Sequence, residues 1–491
     1  MSKSSSDTAG LSLPKQFFVT RDRLDLESDW KILRLGDYNI YCAPGVGAIR
    51  LLPPAGSERG SAVILGWFSY RGNFYPNSTS NEIHTAETLE EIYPLLTGRF
   101  VVLQHEGSSL LCTPDPGGQL PVVYRTESGE LGSTPRVLEW TEKLLPDPTV
   151  DATYRRADGT VWYPFGATPY AGIERLLPGQ TVALNAGRAQ LINRTPAVTS
   201  PLSVEQMHGL ARDFVEAVGR VGQSMECHLT AGWDSRMVVS ATLQTARRIT
   251  YLTYLPAGAT ARVDSQVASR IAKRFELDHA VIPVQSPSTK DIEAWLARTS
   301  YCLRDSVTNL TRTIAQTYVD RYALAGVGGE VGRAFYWNKR DIDQHGLTPD
   351  ALLARLGFEK TEVGLSRAEQ WLSGYAGLSS TSILDRAYID IRLGCWASAA
   401  LCGHPVQKPT LSPFNSMAVY ESMLALPEDY RLSGQFARDF IACGSQELAR
   451  IPINRPSGVQ RLRNLPRELA RRLPKSTTAL IKNRLLLNTP V

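Results

Sequence analysis

The chain has 491 residues, a length that favours two or three domains over one core. Hydrophobic residues make up 43% and charged residues 21%, which is ordinary for a globular protein. No stretch approaches the roughly 18 apolar residues of a membrane span, and the first ten residues lack the apolar core of a signal peptide. The seven scattered cysteines form no Cys-x-x-Cys pair, which argues against a disulfide scaffold or zinc ribbon and favours a cytoplasmic protein.

The positive net charge is concentrated at one end of the chain. The formal charge is +5, but residues 455–491 hold nine Lys or Arg and one acid, a local balance of +8. Subtraction (5 − 8 = −3) leaves residues 1–454 mildly acidic. Whole-chain charge therefore gives no reason to expect a nucleic-acid partner.

The part of the chain before residue 151 follows a β-type pattern. Residues 1–28 begin with a polar, Ser-rich run and are predicted to be flexible. From residue 29 to 150, short apolar runs such as Ser61–Phe68, Gly98–Gln104 and Leu110–Thr113 are separated by Gly, Pro and Asn turns. One helical insert is predicted near Thr85–Leu96. An antiparallel, sheet-rich domain is the prediction for this part.

The pattern changes twice after residue 150. Residues 151–200 are rich in Gly and Pro and are predicted to be a linker. In the segment 201–454, helices and strands first alternate with short connections, which is typical of a parallel sheet covered by helices. The predicted helices are 204–222, 235–247 and 264–275, and the predicted strands are 225–229, 249–254 and 279–284. Residues 287–450 are predicted to be mostly helical, and 455–491 form a basic tail.

One strand-to-helix loop carries the chemistry of the predicted parallel sheet. The strand 225–229 stops at Thr230-Ala231-Gly232, and an apolar helix is predicted to begin near Ser235. A glycine such as Gly232 permits close approach of a ligand and unusual backbone conformations. The free N–H groups of the next helix start favour a phosphate there. Asp234 would repel that phosphate unless Mg²⁺ lay between them, although Asp234 and Ser235 could also simply cap the helix.

A family resemblance follows from these residues and several others. Thr230-Ala-Gly-Trp-Asp-Ser235 resembles the pyrophosphate loop of N-type ATP pyrophosphatases, with Ala231 in place of a Gly. Taken together, seven further segments resemble the asparagine synthetase family in the same order along roughly residues 60–450. They are Gly98–Leu103, Asp115–Tyr124, Phe165–Gln180, Val263–Ala272, Gly326–Arg333, Leu411–Asn415 and Ala425–Glu428.

The resemblance implies a fold of mixed class, both α+β and α/β. The front domain would be an antiparallel, Ntn-like domain similar to a class II glutamine amidotransferase. The back domain would be a parallel-sheet α/β ATP pyrophosphatase domain of HUP-like type, with a helical C-terminal part. ATP and Mg²⁺ are the implied cofactors.

The resemblance also assigns site residues. Asp234 and Glu330 would bind Mg²⁺, with Glu330 a solvated loop acid in the alternative interpretation. Arg236 and Arg333 lie beside the two loops and could replace the family's late catalytic Lys as donors to phosphate, or be surface arginines; with Glu330 they form the predicted catalytic set. The predicted ATP and pyrophosphate contacts are Leu229, Thr230, Ala231, Gly232, Asp234, Ser235, Gly326 and Gly328.

Three departures from the family pattern bear on function. The family's glutaminase uses an N-terminal Cys, whereas residue 2 here is Ser and the first cysteine is Cys42. Since a thiolate is the better nucleophile at neutral pH, we expect the front domain to be degenerate. Val327 stands where the family has a residue that deprotonates the attacking amine, so Glu330, Tyr336 or the substrate itself would have to act. The late Lys aligns with Gly434 or Gln435, with Arg438 on the same helix.

These features predict an AMP- and pyrophosphate-forming amide ligase in a biosynthetic tailoring role. Its substrates would be a small-molecule or peptide carboxylate and an amine or ammonia. The alternatives are glutamine-dependent asparagine synthesis, a nucleotide-binding pseudoenzyme or scaffold, and tRNA modification. A homodimer is a further expectation. The histidines, His228 included, are interpreted as structural or exposed, and the aromatic run Phe335–Trp337 as core packing or a substrate platform.

Overall fold

The chain folds as a mixed α/β protein with antiparallel sheets in its front half and a parallel sheet with helices behind, which confirms the predicted fold class. The computed structural model describes residues 13–25, 29–52, 61–76, 82–185, 188–193, 200–221, 224–245, 248–257, 259–317, 321–404 and 409–453. The predicted basic tail 455–491 lies outside the described residues. None of the described helices is both long and apolar enough to cross a membrane.

Strands and helices are numbered in chain order. The strands are β1 (Phe17–Thr20), β2 (Lys31–Leu35), β3 (Tyr38–Cys42), β4 (Gly47–Leu52), β5 (Ala62–Tyr70), β6 (Asn73–Tyr75), β7 (Glu82–His84), β8 (Thr97–Glu106), β9 (Ser109–Pro114), β10 (Val123–Arg125), β11 (Leu131–Gly132), β12 (Val161–Trp162), β13 (Ile173–Arg175), β14 (Gln180–Asn185), β15 (Arg188–Asn193), β16 (Met225–His228), β17 (Ile249–Leu255), β18 (His279–Pro283), β19 (Leu303–Arg304), β20 (Tyr322–Leu324) and β21 (Thr410–Leu411).

The α-helices are α1 (Leu89–Ile92), α2 (Pro135–Leu138), α3 (Pro148–Tyr154), α4 (Val204–Arg220), α5 (Trp233–Thr242), α6 (Ala259–Arg274), α7 (Thr289–Arg298), α8 (Thr311–Gln316), α9 (Pro349–Leu356), α10 (Glu362–Ser373), α11 (Ser380–Ala387), α12 (Ser398–Gly403), α13 (Met417–Leu424), α14 (Glu428–Leu432), α15 (Gln435–Gly444) and α16 (Gln446–Arg450). A ten-residue π-helix, Tyr388–Ala397, joins α11 to α12. Short 3₁₀ turns occupy Tyr93–Leu95, Ser306–Leu310 and Gly329–Gly332.

Two sheets build the front half. One has six antiparallel strands in the order β13-β10-β11-β1-β3-β2. The other follows the order β15-β14-β9-β8-β5-β4-β7, with β6 on β5 and one parallel pair, β4 with β7. All nine residues of β5 are buried, as expected of a central strand covered on both faces.

Two predicted boundaries of the front half are wrong. Strand β1 falls inside the segment 1–28 that we expected to be flexible, yet Phe17 and Phe18 are fully buried and β1 pairs with β3 and β11. Strands β13, β14 and β15 fall inside the predicted linker 151–200, yet they extend the front sheets. The sequence-based prediction missed these strands because turn-forming Gly and Pro residues separate them.

The parallel sheet matches the predicted alternation of strands and helices. Its order is β18-β17-β16-β20-β21, and every neighbouring pair is parallel. Helix α4 begins at a capping box between Ser203 and Gln206. Strand β16 lies at the centre of the sheet between β17 and β20, so the loops that follow β16 and β20 meet at one edge.

Candidate functional site

The loop after β16 is the predicted phosphate loop. Leu229 is fully buried and continues the sheet pairing, because its N–H donates to the Leu252 carbonyl at 2.8 Å. The next residues bond among themselves: the Thr230 N–H donates to Ser235 Oγ at 3.2 Å, and the Gly232 N–H donates to Thr230 Oγ1 at 3.1 Å. The Ala231 N–H donates to Asp264 Oδ1 at 3.2 Å. The loop is therefore held closed by its own hydroxyls and by one carboxylate from α6.

Helix α5 begins two residues earlier than predicted, at Trp233, with Gly232 as its N-cap. Gly232 has no side chain to bond the first-turn N–H groups, and these point out of the helix at its positive end. Asp234 and Ser235 lie within the first turn, so the alternative in which either residue caps the helix is wrong. Gly232 has φ −81°, which any residue adopts, so our expectation of an unusual backbone there is also wrong.

The loop after β20 packs directly on the first loop. A Cβ at Gly326 would lie 2.5 Å from the backbone carbonyl carbon of Asp234, and a Cβ at Gly329 would lie 3.2 Å from Asp234 Oδ1. Gly328 has φ +95°, a left-handed conformation that favours glycine. The predicted ligand glycines Gly326 and Gly328 thus contact Asp234 and Tyr420 respectively. The absence of a side chain at Gly326 lets the two loops touch.

The two loops are also joined by a bidentate ion pair. Arg333 donates from Nε to Asp234 Oδ1 at 3.0 Å and from Nη2 to Asp234 Oδ2 at 2.6 Å. Burial, and after it the nearby Glu330 carboxylate, raise the pKa of Asp234 to about 7, against the lowering effect of Arg333. The structure brings three of the predicted site residues, Asp234, Glu330 and Arg333, together.

The carboxylates fit a divalent cation only in part. Glu330 Oε2 accepts the Gly328 N–H at 3.2 Å, and the repulsion between Asp234 and Glu330 is the kind that a cation relieves. Within the described ranges, three or more potential metal-binding side chains do not assemble anywhere. A Mg²⁺ ion held by these two carboxylates would therefore take its other ligands from phosphate oxygens and water, as Mg²⁺ usually does.

Arg236 has a structural position rather than the predicted catalytic one. Its side chain is fully buried, and its guanidinium donates to the carbonyls of Ile451 (2.7 Å), Pro452 (2.9 Å) and Ala231 (3.1 Å). The Arg236 guanidinium therefore lies among backbone carbonyls on the buried side of the loop. Arg236 fastens the end of the described chain to the phosphate loop, and we correct its assignment.

Tyr336, one of the residues considered as a base in place of Val327, lies in an environment that does not suit this role. Burial raises the pKa of Tyr336 to about 12, with Arg392 lowering it, so Tyr336 is a poor proton acceptor at neutral pH. Val327 is partly buried and lines a cavity behind the two loops. Of the aromatic run, Trp337 is core and donates to Asp385, whereas Phe335 is 45% exposed and contacts Tyr388.

Sequence reasoning missed Tyr388. This buried residue opens the π-helix and lies close to the Glu330 carboxylate; burial first, and then that carboxylate, raise the pKa of Tyr388. On the same π-helix, the Arg392 guanidinium lies 3.5 Å from the Trp396 ring centroid. Long π-helices are rare and recur at functional sites. The apolar sequence of this segment gave no signal beyond a buried helix.

The position aligned with the family's late Lys also lies near the first loop. Gly434 has φ +71° and begins α15 against the Trp233 ring, since a Cβ there would lie 3.4 Å from it. The Arg438 guanidinium lies 5.8 Å from the Trp233 ring. The chain thus places Arg438, a cation from the same helix, beside the start of α5.

Comparisons with known proteins add little. The chain matches no family model, and no curated protein matches it either. Among solved structures, the NMN synthetase from Francisella tularensis matches with 14% identity over 35% of this chain and 94% of that one, at a TM-score of 0.21. A likeness that weak supports no inference about function, which rests on the site geometry.

Proposed function

We propose that the chain is an ATP-dependent ligase that adenylates a carboxylate and passes it to an amine, releasing AMP and pyrophosphate. The observation that carries this proposal is the meeting of two loops at the carboxyl edge of a parallel sheet. One loop offers the uncapped start of α5 with Asp234, and the other offers Glu330 and Arg333. Ligands of open α/β sheets bind at this edge.

The chain's own residues supply distinct parts of the reaction. The first-turn N–H groups of α5 and the hydroxyls of Thr230 and Ser235 would donate to phosphate oxygens of ATP. Their present bonds, such as the 2.8 Å contact between Thr230 Oγ1 and Ser235 Oγ, would be exchanged for bonds to the ligand. Arg333 would hold its planar donors beside the departing pyrophosphate.

The Mg²⁺ ion, when bound by Asp234 and Glu330, would neutralise phosphate charge. Asp234 must be ionised for this role. Since burial and Glu330 raise the pKa of Asp234 to about 7, nucleotide binding should strengthen as the pH rises through 7. Tyr388, which lies close to Glu330, could donate a hydrogen bond to that carboxylate when the ion is bound.

Calorimetry with MgATP tests the proposal directly. We expect binding by the native chain and at least about 100-fold weaker binding by Asp234→Asn, which keeps the shape and removes the charge. Asp213→Asn is the matched control, because Asp213 is exposed on α4, where it pairs with the neighbouring Arg212. Absence of MgATP binding by the native chain would refute the proposal.

Adenylation is tested by exchange of pyrophosphate into ATP in the presence of pooled carboxylic acids. We expect exchange that needs Mg²⁺ and is lost in Asp234→Asn. A second candidate, a nucleotide-binding scaffold, is favoured by the closed Asp234–Arg333 pair, which leaves the carboxylate already neutralised. MgATP binding without exchange for any acid would favour the scaffold.

A further inference from the structure

A cavity of about 220 Å³ lies behind the two loops, on the face of the parallel sheet opposite the main core. Its lining includes Val327 from the second loop and His228, the residue just before the first loop. Trp396 of the π-helix forms part of the wall, and small side chains such as Ala323 and Ala400 complete it. The cavity therefore reaches both loops of the proposed ATP site.

Two polar groups of this cavity, Glu226 and His228, come from the strand that leads into the phosphate loop. Along β16, Met225 and Cys227 are fully buried in the core, so by strand alternation Glu226 and His228 face the other side, where the cavity lies. The Glu226 side chain is only 9% exposed, and its Oε2 has no hydrogen-bond partner within the described structure. A buried carboxylate oxygen left without a donor is costly. Glu226 therefore points to a ligand that donates hydrogen bonds.

The spacing of the two side chains fits a shared donor. His228 Nε2 lies 3.9 Å from Glu226 Oε1, which is too long for a direct hydrogen bond. A single nitrogen about 2.9 Å from each atom would bridge them. An alkylammonium group carries three donors and a positive charge, which matches one carboxylate and one imidazole.

The remaining groups allow such a cation to enter. Burial lowers the pKa of His404 to about 3, so this third polar group of the wall is neutral, and its Nδ1 is without a partner in the described structure. Arg321 also lines the cavity, where its Nη1 donates to Thr250 Oγ1 at 2.8 Å. Arg321 does not bond the Glu226 Oε2 atom. Glu226 thus remains available to an incoming ammonium.

We propose that this cavity binds the amine nucleophile of the ligase, with Glu226 anchoring the ammonium group and His228 accepting its proton. The inference rests on the proposed function and names the nucleophile's site and base. It also accounts for Val327: the base is displaced from the second loop to β16, and the valine forms the apolar wall of the cavity.

Amide formation requires the ammonium to lose two protons and the adenylate to lose AMP. The ammonium loses one proton to His228 Nε2, and the nitrogen lone pair then forms the C–N bond to the acyl carbon of the adenylate. The C–O bond to AMP breaks, and its electron pair leaves on the phosphate oxygen. The second nitrogen proton passes to Glu226. The products are the amide and AMP, and both protons return to solvent.

Amine binding can be measured without knowledge of the acid. The full chain is titrated by calorimetry with n-butylammonium chloride, ammonium chloride and n-butanol. We expect an ammonium probe to bind the native chain and to bind Glu226→Gln at least tenfold more weakly. Glu293→Gln is the matched control, since Glu293 lies exposed on α7. Binding of butylammonium identifies an organic amine, and binding of ammonium alone identifies free ammonia.

A second variant separates catalysis from folding. His228→Gln should keep butylammonium and MgATP binding and the exchange of pyrophosphate, while amide formation from butylammonium and the acid that supports exchange falls at least tenfold. The inference would be overturned if Glu226→Gln left the amine affinity unchanged, or if His228→Gln left the rate of amide formation unchanged. Failure of the proposed function would show separately, as lost MgATP binding by the native chain.

Discussion

Asp115 of the front half and Asp234 of the back half are both largely buried, yet their surroundings differ. Asp115 is fully buried and accepts hydrogen bonds only from groups that hold it in place: the N–H groups of Phe100, Gly117, Gln119 and Leu120, and the amide of Asn415. Asp234 instead lies beside a second carboxylate, Glu330, and pairs with Arg333.

The surroundings of the two aspartates distinguish a charge that stabilises the fold from one that could bind a ligand. Every donor around Asp115 is backbone except Asn415, which ties the front sheet to the segment after β21. The charges around Asp234 are carried by the side chains of Glu330 and Arg333, which a ligand can engage in place of Asp234. A buried charge enclosed by backbone donors stabilises the fold, whereas one opposed by another charge at a cleft is a candidate for binding.

The largest expected effect tests the structural half of the comparison. Asp115→Ala leaves four backbone N–H groups and the Asn415 amide without their acceptor, so we expect a loss of about 4 kcal/mol in the free energy of unfolding. Urea denaturation measures it. Asp158→Ala is the control, because Asp158 accepts the Thr160 N–H in an exposed turn. If MgATP affinity fell while the variant was still folded, Asp115 would belong to the site.

The pH dependence of stability offers a second test, at the cavity where the two halves meet. Burial raises the pKa of Asp390 to about 6, above the roughly 4 of an unfolded aspartate, while bonds from Tyr375 and Trp371 lower it. Its contribution to stability is complete below pH 4 and is lost as the pH rises through 6.

We therefore expect the native chain to lose up to about 3 kcal/mol relative to Asp390→Asn between pH 4 and pH 6.5. Thermal unfolding in matched buffers provides the measurement. Parallel curves for the two proteins across that range would contradict the raised pKa.

A substitution that fills the space between the two loops tests whether their contact matters. Gly326→Ala places a methyl group against the Asp234 backbone, so we expect about 2 kcal/mol of destabilisation and at least about tenfold weaker MgATP binding. Gly209→Ala, in α4 with open space around it, should stabilise by up to about 1 kcal/mol. Equal MgATP affinity in the two variants would show that the loops need not touch.

The smallest effect concerns thiol reactivity in the front half. Burial raises the pKa of Cys42 to about 12, so at pH 8 only about one thiol in ten thousand is ionised. Burial also raises the pKa of Cys112. We expect iodoacetamide to label the partly exposed Cys443 first, as measured by peptide mass spectrometry. Earlier labelling of Cys42 would reopen the possibility of a nucleophile in the front sheets.

The sequence alone predicted the parallel sheet and the position of its first loop. The alternation of strands and helices over 204–284 predicted the parallel sheet, and the Gly-x-Asp-Ser loop predicted where Asp234 and Ser235 lie. The spacing of apolar residues and the positions of turn-forming residues are local features, so they can be read from the sequence without the fold. The pattern also brought Glu330 and Arg333 to the same site, because both follow a strand of that sheet.

Tertiary structure alone decided the rest. The strand Phe17–Thr20 and strands β13 to β15 look like loose termini and linkers in composition, and only their partners in the front sheets make them strands. Arg236 and Arg333 are indistinguishable neighbours of glycine-rich loops in sequence, yet one is buried against carbonyls and the other bonds Asp234. Side-chain direction depends on packing between segments far apart in the chain, and residue order does not specify it.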